Sequence, residues 1–128
     1  MSDQSLDTGH ASYMLRDGIL VINYKPGLEI TLDIAKDIVN DRMKLTEGKS
    51  YPGFLDGRGL KSLDKEAREY FSSEEGRKGV SAAALLVGSV YTAFLGNFFL
   101  TVTVGKVKIP TKIFTKEDKA LQWLQQFK

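Results

Sequence analysis

From Ser12 onward the chain alternates between two hydrophobic rhythms. Ser12–Leu15 and Ile19–Tyr24 have the two-residue period of half-buried strands, and Arg16-Asp17-Gly18 lies between them. Asp-Gly tolerates positive φ at adjacent positions, so the pair predicts a tight hairpin. Lys25-Pro26-Gly27 ends the second strand. Ile34, Ala35, Ile38, Val39 and Met43 then recur at helical spacing. Thr31 is placed as their N-cap, Asp33 suits the positive end of the helix dipole, and Gly48 closes the segment.

Tyr51–Leu55 reads as a short apolar strand and Asp56-Gly57-Arg58-Gly59 as a turn. Ser62 or Asp64 opens a second helix, with Leu63, Ala67, Tyr70 and Phe71 facing inward. Ser72–Gly76 breaks or re-caps it before Gly79. Ala82–Val87 is continuously apolar, the pattern of a strand covered on both faces of a parallel sheet. Val90–Val104 predicts a third helix that is apolar around most of its circumference; between Leu100 and Ile109 a short hairpin competes with a frayed helix end. Lys112–Phe114 is a brief strand, and Thr115-Lys116-Glu117-Asp118 resembles a capping box ahead of a helix reaching Phe127.

The expected architecture is one α/β domain with a mixed five-stranded sheet and four helices, in the order β-β-α-β-α-β-α-β-α. It spans residues 12–128 and follows a flexible tail, 1–11, that lacks an apolar repeat. A chain of 128 residues suits one such domain.

Composition then narrows the chemistry. There is no cysteine and one histidine, His10, which lies in the expected tail. That removes thiolate chemistry and disulfides and leaves no ligand set for zinc, so no metal and no cofactor is expected. Absence of cysteine and of a charged-then-apolar leader fits a cytoplasmic protein. A net charge of +2, with basic residues scattered, gives no nucleic-acid footprint. The Val90–Val104 run is interrupted by polar residues and too short for a membrane span.

Ala83-Ala84-Leu85-Leu86-Val87 leads into an aromatic segment with Asn97-Phe98-Phe99, then Pro110–Thr115 and a helix containing Ala120–Leu124. In this order the chain, from about Tyr13 to Phe127, resembles the small STAS-like, SpoIIAA-like bacterial proteins of unknown function. The resemblance implies a non-enzymatic switch or interaction module. In the wider STAS family a strand ending in Leu-Asp precedes a helix opened by a motif like Asp-Ser-Ser-Gly, whose Ser is phosphorylated. Leu55-Asp56 matches the strand end and Asp64 the motif's Asp, but Lys65 and Glu66 stand where two serines belong. The phosphoacceptor is missing from its position.

Two candidate sites remain. Asp56, Gly57, Arg58, Gly59 and Ser62 precede a helix N-terminus, where backbone N–H groups bind anions. The third glycine of a dinucleotide fingerprint and the Gly-Lys-Ser/Thr of a P-loop are absent, so a simple glycine turn competes with phosphate or nucleotide binding. Tyr91, Phe94, Leu95, Phe98, Phe99 and Val102 carry more apolar surface than one face against a sheet requires. They form either a thick core helix or a contact surface, for a homodimer, another protein, or a small apolar molecule held between helices and sheet. No catalytic residue stands out, so the expected role is regulatory rather than enzymatic.

Overall fold

The computed structural model describes residues 4–88 and 109–128. Among these residues there are eight strands: β1 (Gln4–Asp7), β2 (Ala11–Arg16), β3 (Ile19–Tyr24), β4 (Glu29–Ile30), β5 (Tyr51–Asp56), β6 (Ser62–Leu63), β7 (Val80–Leu86) and β8 (Thr111–Phe114). The helices among the described residues are α1 (Leu32–Thr46), α2 (Lys65–Ser72) and α3 (Glu117–Leu124), the last followed by a 3-10 turn, Gln125–Phe127. The main sheet has six strands in the order β1-β2-β3-β5-β7-β8, and β4 pairs with β6 in a separate two-stranded ribbon. β1, β2 and β3 are antiparallel, while the pairs β3–β5, β5–β7 and β7–β8 are parallel.

The expectation of five strands and four helices is therefore corrected to six plus two strands, with three α-helices among the described residues. The extra strands have a common cause. β1 lies in the stretch expected to be a tail, and of its residues only Leu6 is partly buried. Its place comes from backbone pairing with β2, which no side-chain rhythm reports. β4 and β6 are two residues each, too short for a period to show. The expected helix at Val90–Val104 lies outside the described residues.

The hairpin joining β2 and β3 turns through Asp17 (φ 52°) and Gly18 (φ 78°), as the Asp-Gly pair requires. α1 begins where Thr31 accepts the Ile34 N–H at 3.4 Å. α2 begins at Asp64, whose carboxylate makes no capping bond. α3 begins one residue later than a Thr115 cap would place it: Lys116 holds the N-cap position and gives no side-chain bond.

α1 and α2 pack against each other over one face of the sheet, above Tyr13, Leu20 and Ile22. α3 covers the other face, placing Ala120 and Leu124 against Phe54, Ala84 and Leu86. β7 is thus apolar at nearly every position because it is covered from both sides.

One charge lies inside this packing. Arg42 of α1 is 3% exposed. It donates Nε to the Lys78 carbonyl at 2.8 Å and Nη2 to the Gly76 carbonyl, bonding the α2–β7 connection rather than a carboxylate. Burial pushes its pKa down, and the nearby Tyr24, Tyr13 and Tyr70 push back. Tyr13 is 1% exposed, and burial first, then Asp41, raises its pKa. Arg42 continues the stripe of Ala35, Ile38 and Leu45, so a charge on a helix's apolar face was the sequence signal for it.

Candidate functional site

The carboxyl ends of parallel strands are where α/β proteins bind ligands, at a point where strand order reverses. Here the parallel part of the sheet runs β3, β5, β7, β8 with no reversal among the described residues. The connections through α1 and α2 advance in one direction, so right-handed crossovers stack both helices on the same face.

The Asp56–Ser62 loop occupies this edge. Gly57 donates to the Leu86 carbonyl at 2.9 Å, which anchors the loop to β7. A Cβ on Gly57 would stand 3.3 Å from Leu60 Cδ1, and one on Gly59 would stand 3.1 Å from Pro26 Cα. Both glycines thus answer to packing. The Arg58 N–H goes to Asp56 Oδ1 at 3.2 Å and the Leu60 N–H to the Gly57 carbonyl at 3.2 Å. Lys61 and Ser62 both donate to the Leu28 carbonyl, at 2.9 and 3.4 Å. The Gly59 carbonyl accepts from Gly27 at 2.8 Å, tying the loop to the turn after β3. Five of the loop amides, those of Gly57, Arg58, Leu60, Lys61 and Ser62, are thus committed within the protein. Ser62 lies in β6, and Asp64 donates its N–H to the Ile30 carbonyl at 2.9 Å.

Asp56 and Arg58 form a two-point pair, Nε to Oδ1 at 3.0 Å and Nη2 to Oδ2 at 2.8 Å. Arg58 also reaches Glu117 Oε1 at 3.7 Å, bridging the loop to the first turn of α3. Glu117 was not among the expected site residues; only the approach of α3 to β5 reveals it. Burial acts to raise the Asp56 pKa, but the hydrogen bonds and charge of Arg58 outweigh it and hold the carboxyl below its usual range. Arg58 is raised in turn, chiefly by its bond to Asp56.

This pair has a pH signature. A carboxyl with a depressed folded-state pKa stabilises the fold above its unfolded pKa of roughly 4 and loses that contribution as pH falls through the folded value. Asp56→Asn should therefore melt below the parent at neutral pH by a gap that stays constant down to about pH 5 and closes at lower pH. Thermal melts from pH 2 to 7 read this directly; a gap that does not narrow at all below pH 4 would mean the charge of Asp56 is not its cause.

Among the described residues no group of three or more His, Cys, Asp or Glu side chains gathers as a metal site would. None of the described helices is long and apolar enough to cross a membrane. Tyr91, Phe94, Leu95, Phe98, Phe99 and Val102 lie outside the described residues.

The family model described as a domain of unknown function, DUF7793, matches residues 13–128. No curated protein matches the chain. An uncharacterised protein of the DUF3478 family from Shewanella loihica, with a SpoIIAA-like fold, is 14% identical. It covers 96% of this chain and 92% of its own, with a TM-score of 0.51. Apo-SiaC from Pseudomonas aeruginosa is also 14% identical, covering 88% and 98% with a TM-score of 0.46. A protein of unknown function from Arthrobacter sp. FB24 is 30% identical over 95% of this chain and 98% of its own, with a TM-score of 0.32. The first of these carries the fold, and the family match covers all but the N-terminal strand and the start of β2. The chain belongs to the DUF7793 family of domains of unknown function, and its fold is SpoIIAA-like.

Proposed function

We propose that this domain is a non-catalytic regulatory module that works by protein contact, and that its contact surface is the apolar segment containing Tyr91, Phe94, Leu95, Phe98, Phe99 and Val102. The observation that carries this reading is the closed state of the Asp56–Ser62 loop. The amides of Gly57, Arg58, Leu60, Lys61 and Ser62, the Asp56 carboxylate and the Arg58 guanidinium are engaged with neighbours at the edge where a ligand would enter. The SpoIIAA-like fold supports the same reading. Lys65 and Glu66 in place of the serines argue for a module that does not rely on phosphorylation at that position.

The partner proposed is a second copy, since a large aromatic surface is suited to a self-complementary two-fold interface. An interface of ordinary size hides roughly 800 Å² per chain and depends on a few buried aromatic anchors. Phe94→Asp or Phe98→Asp should weaken self-association by about thirtyfold or more. Sedimentation across a concentration series measures this, with circular dichroism to establish folding. Folded variants that sediment as the parent does would place the interface elsewhere. Solvent extraction with mass spectrometry tests the alternative: a stoichiometric apolar compound would make the domain a carrier.

A further inference from the structure

β8 closes the main sheet at the end opposite β1, and among the described residues no strand pairs with its outer side. The two edges are unlike. β1 exposes Gln4, Ser5 and Asp7 and has one partly buried apolar residue, a polar edge of the kind that does not recruit a neighbour. β8 half-buries Thr111, Ile113 and Phe114 and exposes only Lys112. Its backbone is divided by the parallel pairing with β7. The Ala83 N–H donates to the Pro110 carbonyl and the Val87 N–H to the Phe114 carbonyl, each at 2.9 Å, and Lys112 lies between them in the same register. Peptide groups alternate sides along a strand, so the N–H and C=O of Thr111 and Ile113 point away from the sheet. Beside this edge Phe114, Trp123 and Phe127 form a row of half-buried rings, with successive centroids 5.7 and 4.8 Å apart. Lys112 Nζ lies 5.5 Å from the Phe114 centroid.

From this we infer that β8 pairs antiparallel with β8 of a second copy about a two-fold axis at Ile113, joining the two six-stranded sheets into one. The register follows from the side chains. With the axis at Ile113, the outward N–H and C=O of that residue bond their counterparts in both directions, Thr111 faces Thr115, and Lys112 faces Phe114. An ammonium over an aromatic face is an attractive cross-strand pair. Moving the axis to Lys112 sets that residue against itself, and moving it to Phe114 sets Lys112 against Lys116, so like charges disfavour both. The helices permit the pairing. α3 seats Ala120 and Leu124 on Phe54, Ala84 and Leu86 of β5 and β7. With strands about 4.8 Å apart, a helix over β7 in each copy leaves the two α3 axes roughly 14 Å apart, beyond the roughly 8–10 Å of packed helices. Trp123, in contact with Phe114, and Phe127 behind it line the space between them. α1 lies on the other face and contacts β1 and β2, at the far edge of the sheet.

The chain has no cysteine, so Ile113→Cys adds a single thiol at the β8 position that faces itself. The pairing sets the two Cα atoms about 5.5 Å apart, within disulfide reach. Under oxidising conditions this variant should link into a covalent dimer about tenfold faster than Thr111→Cys, whose counterpart is Thr115. Ile113→Pro removes the outward donor in both copies and leaves the bonds to β7 intact, and Lys112→Glu sets a carboxylate against the partner ring. Each should weaken self-association by about tenfold or more in sedimentation across a concentration series. Circular dichroism establishes folding, and Lys112→Glu, a change at an exposed side chain, serves should Ile113→Pro fail to fold. The inference stands apart from the contact surface proposed above. A Phe94→Asp variant that loses mass while folded β8 variants sediment as the parent does would leave that surface standing and overturn this pairing. Equal linking rates for the two cysteine variants would overturn it as well.

Discussion

Arg42→Ala should destabilise the domain by about 3–5 kcal/mol, from the carbonyls that lose their donor and the space the long side chain leaves. Removing the guanidinium leaves the Gly76 carbonyl without its donor in a buried place, at roughly 1–3 kcal/mol, and takes the donor from the part-buried Lys78 carbonyl as well. It also opens a space between α1 and the sheet, beneath Tyr24 and Tyr13. Arg42→Met fills most of that space and should lose less than Arg42→Ala, because the stem contributes packing of its own. Urea unfolding measures both. A loss under 1 kcal/mol for Arg42→Ala would mean that water satisfies those carbonyls and that the α2–β7 connection does not depend on Arg42.

Gly76→Ala acts on the same connection from the other side and should cost about 3 kcal/mol or more. A Cβ at this position would overlap the Tyr70 carbonyl oxygen and come within 2.8 Å of Phe71 Cα. Those atoms are helix backbone and cannot rotate away, so the loop must lift. Lifting it breaks the bond from the Gly76 N–H to Ser73 Oγ at 3.0 Å and the bond from Arg42 to the Gly76 carbonyl. Because both substitutions disturb one shared contact, Arg42→Met combined with Gly76→Ala should cost less than the sum of the two alone. Fully additive losses would indicate that Arg42 and Gly76 act separately. An unchanged urea midpoint for Gly76→Ala would show that the loop is not closed against α2.

How far the sequence reaches can be followed through particular residues. The Asp17-Gly18 turn and the Thr31 cap are local chemistry: each needs only a few neighbouring residues to define its geometry. The same holds for the apolar run that became β7 and for the stripe of α1. Thr115 misled because a capping sequence states a preference, and the way β8 delivers the chain to α3 set the start at Glu117 instead. β1 was invisible because only one of its four residues is apolar.

The candidate anion loop shows the same division. Its glycines and its Arg58 were legible as a strand-to-helix turn with a positive charge. Which partners its amides would take was not. Leu28, Leu86 and Glu117, brought to it by other segments, decide that. A sequence with two glycines and a basic residue is compatible with a phosphate cradle or with a closed turn; the choice depends on whether distant carbonyls reach the amides first.

Sequence alone, then, determined the local elements: an α/β chain without thiols, with one imidazole and with alternating strand and helix rhythms. Tertiary structure decided the strand count among the described residues, the burial of Arg42, the partners of the Asp56–Ser62 loop and the pairing of β1 with β2. The physical reason is range. Backbone propensity and side-chain period act over a few residues, whereas hydrogen-bond partners and sheet edges are assigned by segments tens of residues apart, whose meeting is settled only when the whole core packs.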